Sequence, residues 1–112
     1  MTKPFKKYKL NDDVTLQMVS YTEEMMVARL WFTGKGFEGT HHHFNQEANI
    51  VISGKFEATN GDQKVLLTAG DSVLVHSEDP HNLECLTPTG EILTCWTPAR
   101  ADIIEKYAER EE

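Results

Sequence analysis

Eight short segments, at 14–21, 25–32, 41–52, 55–59, 64–67, 72–75, 82–86 and 91–96, are apolar or alternate apolar with polar residues, and turn residues separate them. Period-two alternation gives a strand one buried and one solvated face, so this rhythm limits the chain to many short, closely spaced strands. Such strands must close on themselves or stack on a second sheet to cover their apolar side, which predicts an all-β barrel or sandwich. Asn60-Gly61 lies between two of the segments and predicts a hairpin, because both residue types tolerate positive φ. Gly34, Gly36, Gly39, Gly54, Gly70 and Gly90 mark further turns or bends. After Pro98 the rhythm changes. ARADIIEKYAEREE is rich in helix formers and puts Ile103, Ile104 and Tyr107 at helical spacing, which predicts one short helix, about 99–110, packed on the outside of the barrel.

The 112 residues suit a single domain with one core. No apolar run approaches the roughly 20 residues needed to span a bilayer. The start, MTKPFKKYKLNDDV, has basic residues but no apolar stretch behind them, so no secretory signal is read there and a cytoplasmic location is expected. Eleven basic residues against eighteen acidic ones give a formal charge of −7, which argues against a nucleic-acid partner. Part of that charge sits in the tail (Glu105, Glu109, Glu111, Glu112) and says little about a pocket. Cys85 and Cys95 make no CxxC motif and are expected as buried thiols.

Three of the five histidines stand side by side in GTHHHFNQEANIVISG, in the interior of the chain. In an extended strand His41 and His43 point one way and His42 the other. Glu47 shares the parity of His41 and His43 and rejoins them if the chain stays extended or makes a compensated bend. Gln46 has the wrong parity, although a bulge would exchange the two. Two imidazoles and a carboxylate suit a divalent transition metal (Fe, Mn, Ni, Zn or Cu). A fourth ligand must come from elsewhere, and His81, after the turn signal Glu78-Asp79-Pro80, is the candidate. The alternative is a solvated or core histidine pair, and His76 reads as a strand-end residue.

HHHFNQEANIVISG resembles the first motif of the cupin family, with His41, His43, Glu47 and Gly54 at the matching positions. GDSVLVHSEDPHNLEC resembles the second motif through Gly70 and His81, with His76, Glu78 and Cys85 standing where the family has Pro, Gly and Asn. The resemblance runs from about residue 34 onward. It implies a double-stranded β-helix, or jelly roll, with a metal inside one open end. The chain then divides into N-terminal strands (about 1–33), a metal-binding barrel (about 34–97) and the C-terminal helix.

The ending, ILTCWTPARADII, is similar to that of the small KdgF-type cupins, which convert 4,5-unsaturated uronates into linear ketouronates. Their stretch reads Asp-x-Phe-x-Pro-Pro-Arg; here Pro98 and Arg100 match, Trp96 replaces Phe, and Thr94 stands where the family has Asp. Close relatives also carry Gln where this chain has Glu47. The resemblance makes Arg100, Trp96 and Thr94 the candidate catalytic residues. Arg100 would hold a carboxylate in a bidentate fork and Trp96 would offer a face to a sugar ring. Threonine cannot act as a general base near neutral pH. Arg100 could instead pair with Asp102 or Glu105, Trp96 could simply pack in the core or at a dimer contact, and Arg29 could snorkel outward or enter the pocket.

Three functions follow: a metal-dependent enzyme for anionic sugar-derived substrates, a metal-dependent dioxygenase, or a small-molecule-binding or structural cupin without turnover. A uronate pocket should aim Arg100 or Arg29 at the open metal position. An oxygenase pocket should be more apolar, and a structural barrel should have a closed mouth. Because 25–32 is apolar on both faces, a homodimer is expected, with the C-terminal helix as the alternative cover.

Overall fold

The alternation is translated into nine strands: β1 (Lys7–Lys9), β2 (Val14–Tyr21), β3 (Met26–Phe32), β4 (Gln46–Ser53), β5 (Phe56–Asn60), β6 (Gln63–Leu67), β7 (Ser72–Val75), β8 (His81–Cys85) and β9 (Gly90–Thr97). One helix, α1 (Ala101–Tyr107), follows. These are the elements of the described residues, 2–112, in a computed structural model. All pairings are antiparallel. One sheet runs β1-β2-β3-β9-β4-β7 and the other β6-β5-β8. The fold is an all-β jelly roll with a short C-terminal helix.

The residues that alternate inward make the core between the sheets. Val14, Leu16 and Met18 of β2, and Met26, Ala28, Leu30 and Phe32 of β3, meet Phe56, Ala58, Leu67 and Leu83 of the smaller sheet. Phe32 and Phe56 are both fully buried and meet edge to face, centroids 5.0 Å apart. Each such side chain contributes roughly 1.5–3 kcal/mol by leaving water. Their contact ties the two sheets together.

Several expectations shift. The segment 41–52 is not one strand, since β4 starts only at Gln46. Before it, the backbone bonds go to the loop ahead of β8: His41 and His81 exchange both N–H···O bonds (3.0 and 2.9 Å), and Glu78 N–H donates to His43 O (2.8 Å). The hairpin turn moves by one residue, because Asn60 already pairs with Gln63 and only Gly61, with φ 65°, takes a positive φ there. β1 was not apparent in the sequence. Its three residues KYK have little apolar content, and Gln17, whose Nε2 donates to Phe5 O (2.9 Å), holds the segment just before it. The helix packs on the β1-β2 side of the barrel, with Tyr107 against Tyr8 of β1 and Ile103, Ile104 and Tyr107 at the edge of the core, and one face of it reaches the cavity mouth.

Gly54, between β4 and β5, has φ 85°, and a Cβ there would lie 2.7 Å from Thr89 O. The tight exit of β4 therefore requires glycine. Both cysteines are free, Cys85 buried and Cys95 partly exposed. Among the described residues no helix is long and apolar enough to cross a membrane.

Candidate metal centre

Three segments bring the site together. The 41–45 segment supplies His41 and His43, β8 begins with His81, and β4 supplies Glu47. The donor nitrogens of His41, His43 and His81 all lie within 4.8 Å of one another. Glu47 Oε1 stands 3.1 Å from His43 Nε2 and 3.6 Å from His81 Nε2. The i,i+4 step from His43 to Glu47 crosses the bend into β4, so the compensated bend, not a continuous strand, closes the group. Gln46 is exposed while Glu47 is 6% exposed and points inward. His42 is exposed and faces away, its Nδ1 3.3 Å from Glu78 Oε1. His76 is exposed at the end of β7 and takes no part.

The hydrogen bonds fix which ring nitrogens face the centre. His81 Nδ1 lies 2.8 Å from Asp79 O and His43 Nδ1 lies 3.0 Å from Asn45 O. A carbonyl only accepts, so both Nδ1 atoms carry the proton and the neutral rings present bare Nε2 lone pairs inward. His81 Nε2 is buried with no hydrogen-bond partner. Two lone pairs and a carboxylate oxygen thus face one another with nothing between them to donate. Such an arrangement is costly unless a cation or protons fill it. The donor set fits a divalent transition metal, with second partners on the histidines as ligating imidazoles require.

Electrostatics agree. Burial disfavours charge on Glu47, yet the His43 and His81 rings beside it and the amide of Asn49 outweigh it and hold the carboxylate well below its usual range. His41 is the most exposed of the three, yet partial burial of its ring, then the neighbouring His81, lowers it to about 4, so the ring is neutral at pH 7. Burial also opposes charge on His81, but Glu47 and Asp79 O prevail and raise it.

The group lies in a cavity of about 330 Å³. Leu10, Leu16, Leu30, Phe32, Phe37 and Leu83 form an apolar wall. Arg100, Asp102, Ile103, Lys106 and Tyr107 form the rim from the helical side. Asp102 and Lys106 are exposed, so the mouth reaches solvent and the barrel is not closed. Arg100 is at once in its pair and in the cavity: its Nη2 is 3.0 Å from Asp102 Oδ2, and its Cζ is 5.8 Å from the Trp96 ring centroid. Its charge reaches the centre, where it helps lower His41. Arg29 is exposed on the outer face of β3 and does not enter the cavity.

Trp96 is buried, with Nε1 donating to Glu47 Oε1 (2.6 Å). Thr94 is 1% exposed and donates from Oγ1 to Asn49 Oδ1. Asn49 in turn donates from Nδ2 to Glu47 Oε2 (2.6 Å). No sequence motif points to Asn49, Lys106 or Tyr107, which also line the cavity. For Asn49 a signal was there: it follows Glu47 by two on an alternating strand, a polar residue on the inward face. Lys106 and Tyr107 depend on where the helix docks.

Residues 32–95 match the family profile described as Cupin domain. The chain is 24% identical over 97 residues to the pectin degradation protein KdgF of Dickeya dadantii, covering 85% of this chain and 87% of that one. An RmlC-like cupin from Shewanella frigidimarina superposes with TM-score 0.83 at 26% identity, covering 88% of each chain. KdgF from Halomonas sp. superposes with TM-score 0.83 at 20% identity, covering 88% of this chain and 90% of the other.

Proposed function

The chain belongs to the cupin family, and on that premise we propose that it is a metal-dependent enzyme for small sugar acids, opening 4,5-unsaturated uronates to linear ketouronates. One divalent ion (Ni, Fe, Mn, Zn or Cu) is held by His41, His43, Glu47 and His81. The observation that carries this reading is the convergence of three imidazoles and a charged carboxylate beneath a cavity whose rim bears Arg100. Likeness to a pectin degradation protein supports the substrate class. When bound, the ion supplies a Lewis acid that polarises a substrate oxygen.

The chain's own residues do the rest. Arg100 meets the substrate carboxylate at the rim, where a planar guanidinium gives two parallel hydrogen bonds. Trp96, with its N–H engaged by Glu47, offers the substrate only its ring. Glu47 accepts hydrogen bonds at both oxygens and is a weak base. Thr94 has no acidic proton near neutral pH. Proton transfer is therefore left to solvent entering the mouth, and turnover is expected to be slow. The working unit is proposed to be a homodimer.

A second reading rests on the apolar wall, which suits an oxygenase acting on a phenolic or diketone substrate. The test is direct. Metal-loaded protein should consume 4,5-unsaturated uronates, read as loss of the ultraviolet absorbance of the double bond, and Arg100→Lys should weaken their binding. If the absorbance persists while dioxygen disappears with a phenolic or diketone substrate, the oxygenase reading replaces the first. If neither occurs while calorimetry detects uronate binding, the protein is a binding module.

A further inference from the structure

We propose that Thr94 and Asn49 are positioning residues that lock Glu47 into presenting a single oxygen to the histidines. The inference rests on the metal-ligand reading above. It arises from the register of β4 and β9, where Glu47 lies opposite Trp96 and Asn49 opposite Thr94. All four side chains point inward and are at most 6% exposed. Two successive cross-strand pairs thus form one buried chain: Thr94 Oγ1–H to Asn49 Oδ1, Asn49 Nδ2–H to Glu47 Oε2 (2.6 Å), and Trp96 Nε1–H to Glu47 Oε1 (2.6 Å).

Each link has one sensible direction. An ionised carboxylate only accepts, so Asn49 must turn its NH2 toward Glu47 and its carbonyl oxygen toward β9. A group on β9 must then donate to that oxygen, and the Thr94 hydroxyl does. Glu47 Oε2 is spent on Asn49, which leaves Oε1 as the oxygen facing His43 Nε2 at 3.1 Å and His81 Nε2 at 3.6 Å. Rotating the carboxylate would break both of its hydrogen bonds, and at 6% exposure Glu47 has little access to replacements. The arrangement also gives Thr94 a role that the Asp of KdgF-type cupins could not fill. An ionised carboxylate at 94 would compete with Glu47 for the Asn49 amide.

The experiment measures Co2+ affinity by chelator competition and the visible absorption of the Co2+-loaded protein, which reports the ligand field and not turnover. Thr94→Val, nearly isosteric, should lower affinity roughly tenfold, the lower end of the effect of outer-shell changes, and alter the absorption bands. Thr94→Ser should restore both. Thr94→Val with unchanged affinity and bands overturns the inference. Should that variant not fold, Asn49→Leu carries the same expectation and the same refutation. Glu47→Ala separates the two levels. If it leaves Co2+ binding unchanged, the ligand assignment itself fails. If it weakens binding while Thr94→Val does not, the ligand stands and the positioning chain falls.

Discussion

A buried carboxylate stays charged only when the protein replaces most of the water it gives up, and Glu47 does this with donors from Trp96 and Asn49 while facing two imidazoles. Three adjacent histidines look equivalent in the sequence but differ in what their rings meet. His43 Nε2 faces Glu47, while His42 Nδ1 faces the exposed Glu78. Outer-shell changes cost about 10–100-fold in metal affinity, so loss of a ligand should cost more. His43→Ala should thus strip metal from protein purified without added metal, measured by elemental analysis, and His42→Ala should retain it. The reverse pattern would reassign the ligands. Gly54 carries a different constraint. Gly54→Ala forces a side chain into positive φ and within 2.7 Å of a carbonyl, and should cost roughly 1–3 kcal/mol, seen as a lowered Tm with metal stoichiometry unchanged. Both positions stand in a sequence motif, whereas Asn49 does not. Its importance comes from the residue across the ladder, which a single strand's pattern cannot name.

Strands 14–21 and 72–75 keep the bounds that the sequence gives them, because their side chains alternate with burial, in the first as far as the register shift between Met18 and Ser20. The 41–45 segment could not. Its backbone bonds go to residues 78 and 81, and no local pattern tells a strand from a loop tied to a distant one. The spacing of His41, His43 and Glu47 still picked out residues that the fold brings together, since a bend can restore the facing that a strand would have given. For α1 the composition gave the helix, but not its seat, which depends on the apolar opening left by Leu10, Leu16 and Leu30. That seat puts Asp102 beside Arg100 at the cavity rim; burial opposes charge on Asp102, but Arg100, with the backbone amides of Asp102 and Ile103, prevails and holds the carboxyl below its usual range. Asp102 should therefore compete with an incoming carboxylate. Asp102→Asn keeps an acceptor for Arg100 and removes the charge, so unsaturated uronates should bind about two- to fivefold tighter, the worth of an exposed pair of roughly 0.5–1 kcal/mol. Calorimetric titration of both forms decides it, and weaker binding in Asp102→Asn would mean that Asp102 serves to aim the guanidinium.

At the scale of the molecule, the question is what covers the outer face of the larger sheet. The inward residues of β3, β9 and β4 fill the core, and α1 is committed to the β1-β2 side and the cavity mouth, so neither covers the outward ones. That face carries Val27 on β3, Leu93 and Cys95 on β9, and Ile50 on β4, all partly exposed, with Ile52 at 46% and Leu74 at 52% toward one side. The Arg29–Trp31 end of the face is more polar: Arg29 is exposed, and Trp31 is taken up by Lys7, 4.8 Å from its ring centroid, and by Glu91, which accepts from its Nε1 (3.1 Å). A continuous apolar strip bordered by charged residues is what a self-complementary contact between two copies requires, with the charges at its rim. The expected assembly is a twofold dimer in which the β3-β9-β4 strips of two chains pack face to face, leaving both cavity mouths open. Light scattering at micromolar concentration should give twice the chain mass. Val27→Glu should give a monomer that still binds one metal ion, because Val27 points away from the core and its neighbours across the ladder, Ser20 and Cys95, leave room for a solvated side chain. A wild-type chain that scatters as a monomer would refute the dimer. A Val27→Glu chain that stays dimeric would move the contact to the exposed Val65 and Leu66 of β6, on the opposite sheet.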